Sequence, residues 1–145
     1  MPVRFFYADA RLPRTDKLRL RRFVADVLLR SEGRQAGTIQ YVFCSDEYLL
    51  QMNRQYLEHD YYTDIITFGL SDPAAPIIDA DIYISVDRVR DNALTAGVSF
   101  DEESLRVIFH GALHLCGYKD KRPADVKQMR AKEDEYIWRY RRWKG

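Results

Sequence analysis

The sequence feature that most constrains the fold is a pair of histidines, His110 and His114, four residues apart in a stretch whose apolar residues recur at helical spacing. Residues at that spacing lie one turn apart on one face of a helix, where both imidazoles can hold the same metal ion. Ser99 is a suitable N-cap with Glu102 as its capping-box partner, and Gly117 can end the helix in the left-handed conformation. The stretch therefore predicts a largely buried helix with two candidate metal ligands near its end.

A third metal ligand is predicted in the turn that follows Gly117. Asp120, six residues after His114, is the first strong candidate, and three protein ligands leave open the fourth position that a catalytic zinc ion needs. Cys116 is a weaker candidate because, two residues after His114, it points off the shared face. Two ordinary histidines remain the alternative interpretation. Gly111 stands where zinc metalloproteases carry a glutamate, so peptide hydrolysis by that route lacks its proton acceptor.

The length and composition predict one domain, residues 1–145, in a cytoplasmic protein. A chain of 145 residues can bury most of the surface that its unfolded form exposes. No stretch approaches the ~20 apolar residues needed to cross a bilayer, and the N-terminus lacks the long apolar run of a signal peptide. The two cysteines, Cys44 and Cys116, are predicted to be reduced thiols of the core rather than a disulfide.

The net charge of +1 hides a strong segregation of charge along the chain. Residues 1–35 hold nine Lys and Arg against four Asp and Glu, residues 36–118 hold four against thirteen, and residues 119–145 hold ten against five. Basic ends around an acidic middle suggest positive surfaces that contact phosphates beside an acidic centre that attracts a metal. Solvated helix faces are the alternative interpretation.

The C-terminal segment interleaves aromatic and basic residues. Trp138 and Tyr140 alternate there with the candidate nucleic-acid-binding residues Arg139, Arg141 and Arg142. This pattern is typical of surfaces that stack on bases and pair with phosphates. The interpretation that we favour is core packing for the two aromatic side chains, with a solvated basic fringe around them.

Strands and helices alternate along the first half of the chain. Strands are predicted at residues 3–8, 38–44, 65–68 and 81–86, a loop at residues 12–14, and helix starts at Thr15 or Asp16, at Ser45, at Ser85 or Asp87, and at Pro123. The third and fourth strands are too close in sequence for a crossover helix, so they should pair as a hairpin. The predicted fold is α/β (α+β): a mixed, partly parallel sheet of about four strands flanked by helices, with the metal site at the end of a central buried helix.

Four separated blocks of sequence resemble the YbeY family of bacterial metal-dependent endoribonucleases and rRNA maturation factors. The resemblance spans about residues 42–133, and the last block is the most specific. The blocks are Met52-Asn53-Arg54-Gln55-Tyr56, Tyr62-Thr63-Asp64-Ile65-Ile66-Thr67-Phe68, Ala80-Asp81-Ile82-Tyr83-Ile84-Ser85 and His110-Gly111-Ala112-Leu113-His114-Leu115-Cys116-Gly117-Tyr118.

The resemblance implies an α/β metal-binding fold, one zinc-type ion, and a role in trimming the 3′ end of 16S rRNA and in ribosome quality control. Family members typically have a third histidine where this chain has Asp120, so the implied ligands are His110, His114 and Asp120. Two histidines and one carboxylate still suit zinc. The carboxylate cancels part of the metal charge and should make a bound water less acidic than three neutral histidines would.

A second departure concerns the cation that the family offers to the scissile phosphate. The family usually has an arginine where this chain has Leu57, and a lysine is common where this chain has His59. The candidate replacements are Arg54, His59, Lys119 and Lys121. For the general base, the candidates on the same loop are His59 and Asp64, each with a structural role as its alternative.

Three classes of function follow from these features. The main hypothesis is single-strand endoribonuclease activity, in which metal-activated water attacks an RNA phosphodiester. The expected partners are rRNA of the small ribosomal subunit, with a ribosomal protein or an assembly GTPase, and neither DNA nor a membrane. The second hypothesis is a non-catalytic ribosome assembly factor with a structural metal and basic rRNA-binding surfaces, which Leu57 favours. The third is a metal hydrolase of small phosphate esters.

Overall fold

One mixed sheet organises the computed structural model, which describes residues 1–12 and 16–145. Within those residues the sheet has four strands, β1 (Val3–Tyr7), β2 (Gln35–Cys44), β3 (Ile65–Gly69) and β4 (Ile77–Ser85), in the order β1-β2-β4-β3. The pairs β1·β2 and β2·β4 are parallel, and β3·β4 is antiparallel. The predicted mixed sheet and the predicted hairpin between the third and fourth strands are therefore confirmed.

Serine caps fix where three of the helices begin. The described helices are α1 (Lys17–Phe23), which continues directly into π-helical turns at Val24–Leu29, α2 (Asp46–Leu57), α3 (Val86–Ala96), α4 (Phe100–Leu115) and α5 (Pro123–Arg142). The side chains of Ser45, Ser85 and Ser99 each accept a hydrogen bond from the backbone N–H three residues ahead, as predicted. Asp16 caps α1 in the same way, whereas Thr15 and most of the predicted loop at residues 12–14 lie outside the described residues.

The strand β4 begins earlier than the predicted strand at residues 81–86, and it ends one residue earlier. It begins at Ile77 because the parallel partner β2 extends back to Gln35, which pairs with Ile77. It ends at Ser85, and Val86 is already the first residue of α3. The prediction that the strand continues through Val86 is therefore wrong. The Ser85 hydroxyl accepts a hydrogen bond from the amide of Arg88, and the helix begins there.

The two faces of the sheet are covered unequally. One face packs against α1 and α4, and α5 packs against α4. This side carries the main core, with Tyr41, Ile82 and Phe109 among its fully buried members. The other face packs against α2 through a small cluster of Cys44, Leu49 and Ile66. The buried helix that carries the two histidines thus lies on the main core face, against β3 and β4.

Close packing of α4 on the sheet explains a glycine in the histidine motif. A Cβ atom at Gly111 would lie 2.9 Å from Cδ1 of Ile65 and 3.2 Å from Cγ2 of Ile82. Those distances are shorter than ordinary contacts between carbon atoms. Glycine therefore lets α4 approach the sheet, and the adjacent His110 lies close to the start of β3.

Other predictions on core and surface had mixed outcomes. Cys44 and Cys116 are free thiols, as predicted, with the first buried and the second partly buried. Tyr140 packs in the core, but Trp138 is 58% exposed, so the prediction of core packing is wrong for this tryptophan. Among the described residues, no helix is both long enough and apolar enough to span a bilayer.

Candidate active site

His110 is held between two carboxylates that come from different parts of the chain. Its Nδ1 atom lies 2.7 Å from Oε2 of Glu133 on α5. Its Nε2 atom lies 3.1 Å from Oδ2 of Asp120, in the turn before α5. Burial lowers the pKa of His110, but the hydrogen bond and charge of Glu133, together with Asp120 and Asp64, outweigh it and raise that pKa. Each nitrogen of the ring thus has a fixed carboxylate partner.

The contact between His110 and Asp120 fits a shared metal ion. Two ligands of one tetrahedral zinc ion, each about 2.0 Å from the metal, are separated by roughly 3.3 Å. The observed 3.1 Å between Nε2 and Oδ2 is close to that separation. Because Glu133 engages Nδ1, it leaves Nε2 for a metal, which is the carboxylate–histidine arrangement common at zinc sites.

His114 lies near His110 but does not join this contact. The two rings are parallel within 6°, with centroids 6.5 Å apart. The imidazole of His114 is exposed and borders a different groove, beside Thr67 and Asp79. Among the described residues, no three His, Cys, Asp or Glu side chains are already arranged to hold a metal ion. The structure therefore brings two of the three predicted ligands together, and the full ligand set stays a prediction.

Asp64 faces the same place from the sheet. It directly precedes β3, its backbone carbonyl accepts a hydrogen bond from the amide of Ser85, and its Oδ2 lies 3.4 Å from Nδ2 of Asn92. Burial raises the pKa of Asp64, and the negative charges of Glu133 and Asp120 act in the same direction, while His110 opposes them. A half-buried carboxyl beside two candidate metal ligands is a candidate acid or base.

These side chains line one pocket of about 310 Å³ between α4, α5 and the start of β3. Its charged lining residues are Asp64, Glu103, Arg106, His110, Asp120, Arg130 and Glu133. Arg106 pairs with Glu133 at 3.1 Å and with Asp134 at 2.7 Å. Arg130 is more open, with its side chain 59% exposed and 3.6 Å from Glu133. The pocket is therefore acidic, with two arginines at its wall.

Sequence reasoning missed Glu133 and both arginines. A signal for Glu133 was present, because it lies four residues from Met129 and four from Ile137, both apolar and both buried. A carboxylate in the middle of an apolar helical stripe is rarely left unpaired. No comparable signal marked Arg106 or Arg130, because their position depends on how α4 and α5 pack.

The other predicted catalytic residues lie outside this pocket. Arg54 forms an ion pair with Asp60 at 2.5 Å. His59 stacks on Tyr61, with ring centroids 5.1 Å apart. Lys119 borders a separate pocket with Tyr118. The structure thus brings Asp64 to the candidate ligands and leaves these three side chains apart from them.

The turn that carries Asp120 is also anchored through Tyr118. The Tyr118 hydroxyl donates a hydrogen bond to Oε1 of Glu32 at 2.6 Å, Tyr136 donates to Oε2, and Lys132 lies 3.3 Å from it. Burial raises the pKa of Glu32, but these three donors outweigh it and lower that pKa. Gly117, at φ +102°, provides the backbone conformation that the turn needs.

The three arginines predicted to bind nucleic acid all have partners within the chain. Arg139 lies 3.1 Å from Oγ of Ser31 and pairs with Glu135. Arg141 pairs with Glu102 at 3.1 Å. Arg142 lies over the ring of Trp138. Arg139 thus points toward Ser31, just beyond the π-helical turns that follow α1. Arg141 lies beside α4, and Arg142 lies beside the exposed Trp138.

Comparisons with known proteins place this chain among relatives of one name. The family model described as Endoribonuclease YbeY matches residues 9–141. A protein named Endoribonuclease YbeY from Porphyromonas gingivalis is 44% identical over 93% of this chain and 87% of its own length. One of the same name from Flavobacterium psychrophilum is 53% identical over 79% of this chain and 80% of its own. Another, from Bacteroides thetaiotaomicron, is 42% identical over 94% and 98%.

The fold also has a solved counterpart. The solution structure of a Thermotoga maritima protein superposes with a TM-score of 0.64 and covers 95% of this chain and 88% of its own. Its sequence identity is 22%, so the match supports the fold alone. Since the family model covers nearly the whole chain and the relatives exceed 40% identity, the chain belongs to the endoribonuclease YbeY family.

Proposed function

We propose that this chain is a metal-dependent single-strand endoribonuclease that hydrolyses an RNA phosphodiester during 3′-end maturation of 16S rRNA. The observation that carries the proposal is the meeting of Asp64, His110 and Asp120 in one acidic pocket. That pocket belongs to a chain whose relatives are named endoribonucleases. The proposed role includes ribosome quality control, and its proposed location is the cytoplasm. A ribosomal protein or an assembly GTPase is the further partner that we propose.

The metal ligands of the proposal are His110, His114 and Asp120, and the metal is one zinc ion. His110 and Asp120 already lie 3.1 Å apart, and His114 lies one turn further on the same helix. These residues would hold a zinc ion that would supply Lewis-acid chemistry, polarising a phosphoryl oxygen and lowering the pKa of a coordinated water. Glu133 holds the His110 ring through Nδ1, which would leave Nε2 to bind the ion.

Among the candidate general bases, the geometry favours Asp64 over His59. Asp64 lines the pocket with both His110 and Asp120, whereas His59 is exposed and stacked on Tyr61. A general base must come within hydrogen-bond reach of the proton that it removes. Asp64 would accept a proton from the attacking water on the side where β3 begins.

Arg106 and Arg130 are the cations that stand in for the arginine missing at Leu57. Both line the pocket. Arg106 has two carboxylate partners, so its charge is largely compensated. Arg130 is half-exposed, and its contact with Glu133 is longer than a hydrogen bond. Arg130 is therefore the better placed to offset charge that develops on a phosphate.

The test is cleavage of a structured RNA with single-stranded loops by the purified protein, before and after chelation and after zinc is restored. We expect chelation to abolish cleavage and zinc to restore it. His114→Ala should lose cleavage and remain folded, because its imidazole is exposed. Cleavage by His114→Ala equal to that of the unmodified protein would remove His114 from the ligand set, and cleavage that survives chelation would remove the metal from the mechanism. Accumulation of 16S rRNA with an extended 3′ end in cells carrying only the inactive variant tests the cellular role.

The second candidate is a non-catalytic ribosome assembly factor in which the metal serves folding. Leu57, in place of the family arginine, is the observation that favours it. In that case the unmodified protein would bind rRNA without cleaving it under any metal loading, and His114→Ala would unfold. Turnover of a model diester with no affinity for RNA would instead indicate a hydrolase of small phosphate esters.

A further inference from the structure

We infer that a groove between α4 and α5 leads from the His110 pocket to Trp138 and binds the single-stranded RNA that flanks the scissile bond, with one base stacked on Trp138. The inference rests on the proposed function, because it takes the bond to be cut in that pocket. It adds a specific RNA-binding subsite about two turns along α5 from Arg130.

The groove exists because α4 and α5 lie side by side in opposite directions. Arg106 near the middle of α4 binds Asp134, and Glu102 in its first turn binds Arg141 further along α5. Arg106 lines the His110 pocket and also a second depression, whose wall includes Trp138. The two depressions are therefore neighbours that share one arginine.

Trp138 has the exposure expected of a stacking platform. Its side chain is 58% exposed, although its neighbour Ile137 and the nearby Tyr140 are buried. The Arg142 guanidinium lies 4.1 Å from the ring centroid and also donates a hydrogen bond to the Trp138 carbonyl. A guanidinium over one face of an exposed indole orients the ring and adds positive charge beside it. Base–aromatic stacking of this kind is how proteins hold single-stranded nucleic acid without reading its sequence.

The charge changes sign along the groove. Around His110 the lining has four carboxylates, Asp64, Glu103, Asp120 and Glu133, against two arginines. Around Trp138 the lining has three arginines against two carboxylates. Arg106 pairs with Asp134 and Arg141 with Glu102, so the excess positive charge is that of Arg142. An acidic end suits a divalent cation, and a basic end suits the phosphates of the flanking strand. Arg139 is excluded from this groove because it is directed at Ser31 and Tyr136.

The spacing fits a short flank of RNA. Arg130 and Trp138 are eight residues apart on α5, which is about 12 Å along a helix axis. Stacked nucleotides advance roughly 3.4 Å each, so the base on Trp138 lies within about three or four nucleotides of the scissile phosphate, and closer in an extended strand. Shortening the RNA on that side should therefore remove the contribution of Trp138.

The experiment measures RNA affinity and cleavage separately. Fluorescence anisotropy with a labelled 12-nucleotide single-stranded RNA in EDTA reports binding without cleavage, and gel analysis after zinc is restored reports cleavage. We expect Trp138→Ala to bind about 5- to 150-fold more weakly and Trp138→Phe to keep most of the affinity. Tyr48→Ala is the control, because Tyr48 is an exposed aromatic on α2, across the sheet. RNA should quench tryptophan fluorescence of the unmodified protein and leave that of Trp138→Phe nearly unchanged.

The dependence of affinity on RNA length shows whether the 5′ or the 3′ flank of the RNA lies in the groove. RNAs shortened from the 5′ or from the 3′ end should lose affinity for the unmodified protein on one side only, and Trp138→Ala should be insensitive to shortening on that side. Equal affinity of Trp138→Ala and the unmodified protein, or no measurable RNA binding by the unmodified protein, overturns the inference. RNA binding that depends on Trp138 without any cleavage leaves the inference standing and counts against the proposed enzyme activity. Cleavage of RNA by a protein whose RNA affinity does not depend on Trp138 overturns the inference and leaves the proposed enzyme activity standing.

Discussion

Oε2 of Glu133 lies 2.7 Å from Nδ1 of His110, across the interface between α5 and α4. The carboxylate is almost fully buried and is shared with Arg106. This contact fixes the ring orientation and leaves Nε2 facing Asp120. It links the last helix to the candidate metal site, although the two residues are 23 positions apart in the sequence.

Glu133→Gln should weaken metal binding while keeping the shape of the site. A glutamine has no negative charge to support the ring or to balance Arg106, so zinc affinity should fall about 10- to 100-fold. Competition with a chromophoric chelator measures this directly. Glu135→Gln is the control, because Glu135 lies on the same helix and is half-exposed. Equal zinc affinity of the two variants would argue against a role for Glu133 in holding the metal ligand.

Asp64→Asn should separate the candidate general bases. If Asp64 accepts the proton of the attacking water, the side-chain amide of asparagine cannot do so in its place. Single-turnover RNA cleavage should then slow by about 10²- to 10⁴-fold. Zinc affinity and thermal unfolding should change little. His59→Ala should retain nearly full cleavage because His59 lies outside the pocket, stacked on Tyr61. The opposite result, with His59→Ala slow and Asp64→Asn active, would reassign the base.

The carboxylate of Glu32 should stabilise the fold in a pH-dependent way. Its pKa is lowered in the folded chain from 4.5, so its contribution is present above pH 4.5 and is lost as the pH falls through the lower, folded value. Glu32→Gln should reduce the free energy of unfolding by about 1.5–3 kcal/mol at pH 7, as expected for hydrogen bonds to a charged group. Urea unfolding at pH 7 and at about pH 3 measures the difference, which should shrink at the lower pH.

Tyr118→Phe provides the graded comparison for that experiment. It removes one donor to Glu32 and leaves Tyr136 and Lys132 in place. Its effect at pH 7 should therefore be smaller than that of Glu32→Gln. A difference between Glu32→Gln and the unmodified protein that does not vary between pH 7 and pH 3 would show that the charge of Glu32 is not what stabilises the fold.

Two aromatic residues two positions apart should differ sharply in their effect on stability. Tyr140 is buried, in edge-to-face contact with Phe23 at 5.1 Å and with the Arg19 guanidinium 4.4 Å from its ring centroid. Tyr140→Ala should cost about 3–5 kcal/mol. Trp138→Ala should change the free energy of unfolding by less than about 0.5 kcal/mol, since most of its side chain is exposed. Denaturant unfolding of both variants checks this, and a large loss for Trp138→Ala would mean that Trp138 has a structural role.

The sequence by itself determined what depends on neighbours within a few residues. The serine caps, the left-handed turn at Gly117 and the shared face of the two histidines follow from local hydrogen bonds and helical spacing. The strand hairpin follows from a connection too short for a crossover helix. The motif blocks also sufficed to indicate the family, since their order and spacing are properties of the chain alone.

Only the tertiary structure decided which distant side chains meet. The partnership of Glu133 with His110, the placement of Arg106 and Arg130 at the pocket, the outward position of His114 and the exposure of Trp138 each depend on how α4 packs against α5 and the sheet. Helical periodicity shows that a residue shares a face with others on its own helix. It does not show which element covers that face, because packing is decided by the shapes and charges of elements far apart in the sequence.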